Sequence, residues 1–282
     1  MSKCLAAGIA TSWCPICRRR SSSSPATEGA DISTHDLIRR LEPDARITVI
    51  TGAGVSAASG VPTFRGADGL WKNFKPESLA TPEAFARDPR LVWEWYDWRR
   101  QKIAACEPNA AHHVLARWSK RFGGFTLITQ NVDGLHEAAF AAADANPSEV
   151  TRLHGSIWEV SCWRRCAASP PRWRDATVPY PDIPPRCPHC GDLIRPGVVW
   201  FGESLDPHIV ERATAASECD VFITAGTSAV VYPAAGFIDI ARRAGAFTVE
   251  INPDVTPATA TVDLVLRGGA ETVLPDIERL LP

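Results

Sequence analysis

Four short apolar runs constrain this chain more than any other feature. Ile47–Thr51, Phe125–Thr129, Val221–Thr224 and Phe247–Ile251 are rich in β-branched residues, and each stops at a loop of small or polar residues. Continuous runs of this length read as strands buried on both faces. The loops that follow are Gly52-Ala53-Gly54, Gln130-Asn131-Val132-Asp133-Gly134, Gly226-Thr227-Ser228 and Asn252-Pro253. Helix-length segments separate the runs, so the expected fold class is α/β, a doubly wound parallel, Rossmann-like sheet. Such sheets bind ligands off the carboxyl ends of their strands, where all four loops would gather. Asp36–Glu42 reads as a leading helix stopped by Pro43.

Two stretches break the pattern. Residues 70–120 read as a helical module carrying Trp71, Trp93, Trp95, Tyr96, Trp98 and Trp118. Residues 161–192 are rich in Pro and Cys with little periodicity, and read as a small metal-held insertion. The Rossmann-like core is then expected at 34–69, 121–160 and 193–282, which makes 34–282 one catalytic domain. Residues 1–33 stand apart as an N-terminal extension, expected to be disordered. Arg18, Arg19 and Arg20 run into Ser21–Ser24, and Glu28 is the only acid in the first thirty residues. That composition is like a mitochondrial transit peptide. A disordered extension, or a start placed too early, is the preferred reading. The expected location is therefore cytoplasmic, with the mitochondrial matrix as the alternative.

Composition removes whole classes of function. A net charge of -2 over 282 residues gives no whole-chain attraction to nucleic acid or anionic lipid. No apolar run approaches the roughly 18 to 20 residues that cross a bilayer. Neither nucleic acid nor membrane is an expected partner, and the chain is expected to be a monomer. Nine cysteines are odd in number and too few for a disulfide scaffold. Cys14 and Cys17 have Pro15 between them and no partner pair nearby, so no site is expected there. Cys162 and Cys166, then Cys187 and Cys190 after twenty intervening residues, form two close pairs. Four thiolates suit one structural Zn2+ with no open coordination position. The first pair encloses three residues where two are usual, which leaves open a distorted knuckle or a misassigned ligand. Arg164 and Arg165 inside that pair would favour thiolate.

The loop after the first run carries glycines that would let backbone N–H groups approach a phosphate. It fails the dehydrogenase pattern, because Ala57 stands where the third glycine would be and no acid closes a second strand about 20 residues on. It continues instead into Gly60-Val61-Pro62-Thr63-Phe64-Arg65-Gly66. Hydride transfer is a poor fit.

With these segments the chain resembles the sirtuins, the NAD-dependent protein lysine deacylases. The matching text is G-A-G-V-S-A-A-S-G-V-P-T-F-R (Gly52 to Arg65), T-Q-N-V-D-G-L-H (Thr129 to His136), L-H-G-S (Leu153 to Ser156), R-P-G-V-V-W-F-G-E (Arg195 to Glu203), G-T-S (Gly226 to Ser228) and I-N-P (Ile251 to Pro253). Ala58 departs from the many members that carry Glu at that position. The resemblance implies NAD as co-substrate and acylated lysine side chains of other proteins as partners. The acyl oxygen would displace nicotinamide, and a histidine acting through the ribose hydroxyls would promote acyl transfer to ADP-ribose. An imidazole suits that role because its ordinary pKa, about 6.5, lies near working pH. His154 matches the family's base; without the motif it competes with His112, His113, His136, His189 and His208.

The same resemblance assigns the cofactor-binding residues. Gly52, Ala53, Gly54 and Ser56 belong to the first loop. Gln130, Asn131 and Asp133 would hold the nicotinamide and ribose end, although such a turn can also merely cap a helix. Phe64 and Arg65 lie on a loop expected to close over NAD, with Trp71 beyond it. Gly226, Thr227, Ser228, Asn252, Pro253 and Asp254 would surround the adenosine ribose, and Ala270 would meet the adenine. On the substrate side, Tyr96 and Arg99 sit at i, i+3 in W-E-W-Y-D-W-R-R and share a helix face. The pair resembles that of the subgroup acting on succinyl-, malonyl- and glutaryl-lysine, as does the small Ala80, and Val199 and Phe201 would line the same channel. A guanidinium and a phenol can hold a terminal carboxylate by charge-assisted hydrogen bonds. In the alternative reading Tyr96 packs and Arg99 is solvated. The alternatives for the whole chain are a deacetylase-only sirtuin, an ADP-ribosyltransferase, and a catalytically weak NAD or ADP-ribose sensor.

Overall fold

The computed structural model describes residues 33–63 and 76–282. Residues 1–32, and with them Cys14 and Cys17, lie outside the described residues, as do Phe64, Arg65 and Trp71.

The described chain runs α1 (Thr34–Ile38), β1 (Arg46–Thr51), α2 (Pro76–Leu79), α3 (Pro82–Arg87), α4 (Pro89–Ala104), α5 (Ala110–Arg121), β2 (Gly124–Thr129), α6 (Leu135–Ala142), β3 (Thr151–Arg152), β4 (Gly155–Cys162), β5 (Trp173–Arg174), β6 (Ile194–Val198), α7 (Pro207–Ser217), β7 (Val221–Ala225), α8 (Phe237–Arg243), β8 (Phe247–Ile251), β9 (Leu264–Leu266) and α9 (Ala270–Leu280). Helix α1 starts two residues earlier than expected because Ser33 heads it, its N–H donating to Asp36 Oδ2 at 2.8 Å.

Six strands form one sheet in the order β3-β2-β1-β7-β8-β9, and every pairing in it is parallel. The four expected strands are its centre. The edge strands β3 and β9 have two and three residues, too few to carry a periodic signal. The order reverses between β1 and β7, so the loops leaving these two strands part to opposite sides of a crevice.

Alternate residues of one strand feed different layers. Val221, Ile223 and Ala225 pack with Leu115, Trp118, Phe140 and Leu274 of α5, α6 and α9, whereas Phe222 packs with Ala213, Phe237 and Ala241 of α7 and α8. Helices cover both faces, which is why these strands read as unbroken apolar text. No helix among the described residues is long and apolar enough to cross a membrane.

The helical stretch and the metal-held stretch do not stand as separate bodies. Strands β5, β4 and β6 form a small antiparallel sheet that reaches beyond 161–192 in both directions, from Gly155 to Val198. Its core residues Ile157, Val160, Ile194 and Val198 share a cluster with Phe85, Trp93, Trp95 and Tyr96 of α3 and α4. Polar bonds fix the joint: Trp93 Nε1 donates to Ile194 O at 2.7 Å, and the Tyr180 N–H donates to Asp97 Oδ1 at 2.9 Å. Fully buried Arg100 pairs with Asp175 at 3.4 Å. Helix α4 is thus oriented by the small sheet on one side and carries Tyr96 and Arg99 on another.

Candidate active site

The loops leaving β1 and β7 interlock at the crevice. The Gly54 N–H donates to Gly226 O at 2.8 Å and the Gly52 N–H donates to Ala225 O at 3.1 Å. A Cβ on Gly54 would lie 2.7 Å from Gly226 O, and Gly226 itself has φ +57, with the Val55 backbone standing where its Cβ would be. Only glycine meets both demands. The neighbouring loop thus takes the N–H groups of both Gly52 and Gly54. Among the described residues no backbone carbonyl of another loop accepts the N–H of Ala53, which lines the cavity.

A cavity of about 1180 Å³ opens off this rim. Gly52, Ala53 and Gly54 line it from β1, Gln130 and Asn131 from β2, and His154 from β3. Gly226, Thr227 and Ser228 line it from β7, Asn252, Pro253 and Asp254 from β8, and Ala270 at the start of α9. Ala58 lines it as well. The tie across the rim is Gln130, whose Nε2 donates to Thr227 Oγ1 at 2.9 Å.

Ser56 and Asp133 are not in the wall but behind it. The Ser56 hydroxyl donates to Asp133 Oδ2 at 2.8 Å and accepts from Asn131 Nδ2 at 3.1 Å. Asp133 Oδ1 also accepts the Leu135 N–H at 2.9 Å, so the turn caps α6 and braces Asn131 together. Burial holds the Asp133 carboxyl above its ordinary pKa, against the Leu135 N–H, the Ser56 hydroxyl and the Arg99 charge. His112 Nε2 lies 3.3 Å from Ser56 Oγ, and its ring centre is 4.6 Å from that of His136. Burial drives the His112 pKa down to about 4 and that of His136 well below its ordinary value. Two neutral imidazoles therefore back the wall.

His154 differs from those two in facing the cavity. Its Nδ1 lies 3.0 Å from Gln130 O. A carbonyl can only accept, so Nδ1 carries the proton and Nε2 is the basic nitrogen. Burial lowers its pKa, opposed by the Gln130 carbonyl. The result is an imidazole that is neutral at neutral pH, with a fixed tautomer and a lone pair available.

The opposite wall comes from α4 and the segment after β6. Asp88 caps α4, its Oδ1 accepting the Leu91 N–H at 3.0 Å, and Pro89 occupies the first turn where no N–H is needed. Tyr96 and Arg99 both reach the cavity and are 2% and 6% exposed, so the reading with a solvated Arg99 fails. The Arg99 guanidinium lies 4.8 Å from the Trp95 ring centre and 5.6 Å from that of Tyr96. Burial lowers the Arg99 pKa, against the pull of Tyr96 and Asp133. Ala80, Val199 and Phe201 complete this wall, Ala80 O accepting the Phe201 N–H at 2.9 Å. Trp95 and Trp200 also line it. Trp200 sits between Val199 and Phe201 in the R-P-G-V-V-W-F-G-E segment, which is the signal that could have found it. Trp95 is one of three tryptophans in W-E-W-Y-D-W-R-R, and only the face it meets distinguishes it.

The four cysteines converge. All their Sγ atoms lie within 4.8 Å of one another, with Cys162–Cys190 at 3.7 Å and Cys166–Cys187 at 4.0 Å. Tetrahedral Zn–S bonds of about 2.3 Å would space the sulfurs about 3.8 Å apart, so the set fits one structural zinc. The extra residue of the first pair is absorbed at Arg165, which adopts φ +52. Arg164 faces Asp192 at 2.7 Å instead of the sulfurs. The Ser169 hydroxyl leads in holding the Cys166 thiol down at about 6.

Known proteins resemble this chain in sequence and fold. The Sir2 family profile matches residues 52–233. The NAD-dependent protein deacylase of Aquifex aeolicus (strain VF5) is 51% identical over 232 residues, which are 82% of this chain and 93% of that protein. NAD-dependent protein deacylase 1 of Pseudomonas aeruginosa is 45% identical over 255 residues, 86% of this chain and 97% of its own. A solved complex of a Sir2 homologue with NAD superposes with a TM-score of 0.76 at 45% identity, covering 87% of this chain and 92% of that one. A complex of Sir2 with a p53 peptide and NAD+ gives 0.75 at 27% identity, over 88% and 98%. On the match of family profile, sequence and fold together, the chain belongs to the Sir2 family, the sirtuins.

Proposed function

We propose that this chain is an NAD-dependent protein lysine deacylase that accepts acyl groups ending in a carboxylate, succinyl, malonyl and glutaryl, as well as acetyl. One observation carries the reading: a single cavity is bounded by the loops after β1, β7 and β8, by His154, and by the Tyr96–Arg99 pair. The nucleotide would lie along the loops, with Asn131 braced by Ser56 and Asp133 at its nicotinamide end. His154 would take a proton at Nε2 from a ribose hydroxyl while its Nδ1–H stays on Gln130. NAD supplies the electrophilic carbon and the ADP-ribose that accepts the acyl group. The apolar Val199, Phe201 and Trp95 would exclude water from the acyl-lysine chain. Tyr96 and Arg99 would bind its terminal carboxylate by charge-assisted hydrogen bonds. The zinc site holds the small sheet and takes no part in the chemistry.

The test is a set of acetyl-, succinyl- and glutaryl-lysine peptides incubated with and without NAD, followed by nicotinamide release and peptide mass. NAD-dependent loss of each acyl group, with the acidic ones turned over at higher kcat/KM, is the expected outcome. Turnover of acetyl peptide alone would limit the chain to deacetylation. Absence of any turnover would leave a nucleotide-binding protein.

A further inference from the structure

Beyond the pair read from the helix, we propose that Trp200 is a specificity-determining positioning residue that fixes the direction of the Tyr96 hydroxyl proton. The inference rests on the acidic-acyl reading and deepens it. Trp200 Nε1 donates to the Tyr96 hydroxyl oxygen at 3.0 Å, and both residues are 2% exposed. An indole N–H can only donate, so the phenol oxygen is the acceptor and its own proton must point elsewhere. Among the described residues no acceptor meets that proton, and Tyr96 lines the cavity beside Arg99. The phenol therefore presents a donor, not a lone pair, next to a cation. That combination suits a carboxylate and does nothing for a methyl group.

The indole is in turn held on several sides. The Arg195 guanidinium stacks 3.6 Å from its ring centre, Phe85 lies against it with ring centres 5.4 Å apart, and its backbone N–H donates to Glu203 Oε2 at 2.8 Å. Arg195 and Glu203 close the set as an ion pair at 2.5 Å. A ring locked in this way cannot turn its N–H aside, so the acceptor role of Tyr96 is built into the protein before substrate arrives.

The experiment compares Trp200→Phe with the native protein on succinyl- and acetyl-lysine peptides. The loss of one directing hydrogen bond should raise KM for the succinyl peptide about three- to tenfold relative to that for the acetyl peptide, with kcat moving less. In a Tyr96→Phe background the same substitution should leave the succinyl-to-acetyl ratio where Tyr96→Phe put it. Equal losses on both peptides, or additive losses in the double variant, would overturn the proposal and leave Trp200 a packing residue. A native protein with no succinyl preference would overturn the acidic-acyl reading itself. An unaltered ratio in folded Trp200→Phe, with the native preference intact, would overturn only the role of Trp200. Should Trp200→Phe not fold, the indole N–H resonance of Trp200 in Tyr96→Phe serves instead. An upfield shift supports the bond, and an unmoved resonance refutes it.

Discussion

The two sides of the cavity are made of different material. On the nucleotide side, β1 and β7 loops meet backbone to backbone, and glycines are required because Cβ atoms would collide. On the opposite side, where we propose the acyl group binds, the wall is side chains drawn from Ala80, from Tyr96 and Arg99, and from Val199 to Phe201, joined by the Trp200–Tyr96 bond. A backbone-built wall tolerates almost no substitution, whereas a side-chain wall can be altered residue by residue without disturbing the loops. The chemistry can thus stay fixed while the acyl group it accepts varies.

The most severe test of that contrast is Gly226→Val. A β-branched residue at φ +57 with Val55 backbone in its path should cost about 4 kcal/mol or more and abolish NAD-dependent nicotinamide release. Near-native melting and turnover would show that the wall is not backbone-limited. Next in size, His154→Ala should lower acyl transfer by about 10²- to 10⁴-fold with a nearly native melting temperature, the range expected for loss of a general base. A smaller loss would move the base elsewhere.

Acid stability sharpens the comparison, because the buried imidazoles back only the nucleotide side. The His112 pKa is about 4 in the fold and 6.5 when exposed. Between those values the unfolded chain binds a proton that the native chain does not, so stability falls as pH drops from 6.5 towards 4. The fall amounts to about 3 kcal/mol for His112. His136 acts in the same direction, while Asp133, with its raised pKa, opposes it. Urea unfolding at stepped pH should show the decline, and a flat profile would contradict neutral burial of these rings. Smallest in reach, Arg99→Met should reduce succinyl-peptide kcat/KM about 10- to 100-fold more than acetyl-peptide kcat/KM, since only one substrate loses a charged partner. Equal losses would place Arg99 outside the acyl channel.

Much of this was legible before any coordinates. The four central strands followed from runs buried on both faces, and the four cysteines from their spacing. Short elements were not legible: β3 and β9 have too few residues for periodicity, yet β3 delivers His154. The small sheet was hidden because β4 ends at Cys162 and its partner β6 starts only at Ile194, with irregular text between, and its shared core with α4 has no local signature.

By itself the sequence determined what must hold wherever backbone meets backbone or sulfur meets metal, because those contacts admit one residue type and leave a spacing behind. Only the tertiary structure decided that Ser56 and Asp133 stand behind the wall and not in it, that the glycine N–H groups serve the neighbouring loop, and that Trp200 addresses Tyr96. Those outcomes depend on which faces of distant segments come together, and a face is a property of packing that no single stretch of chain contains.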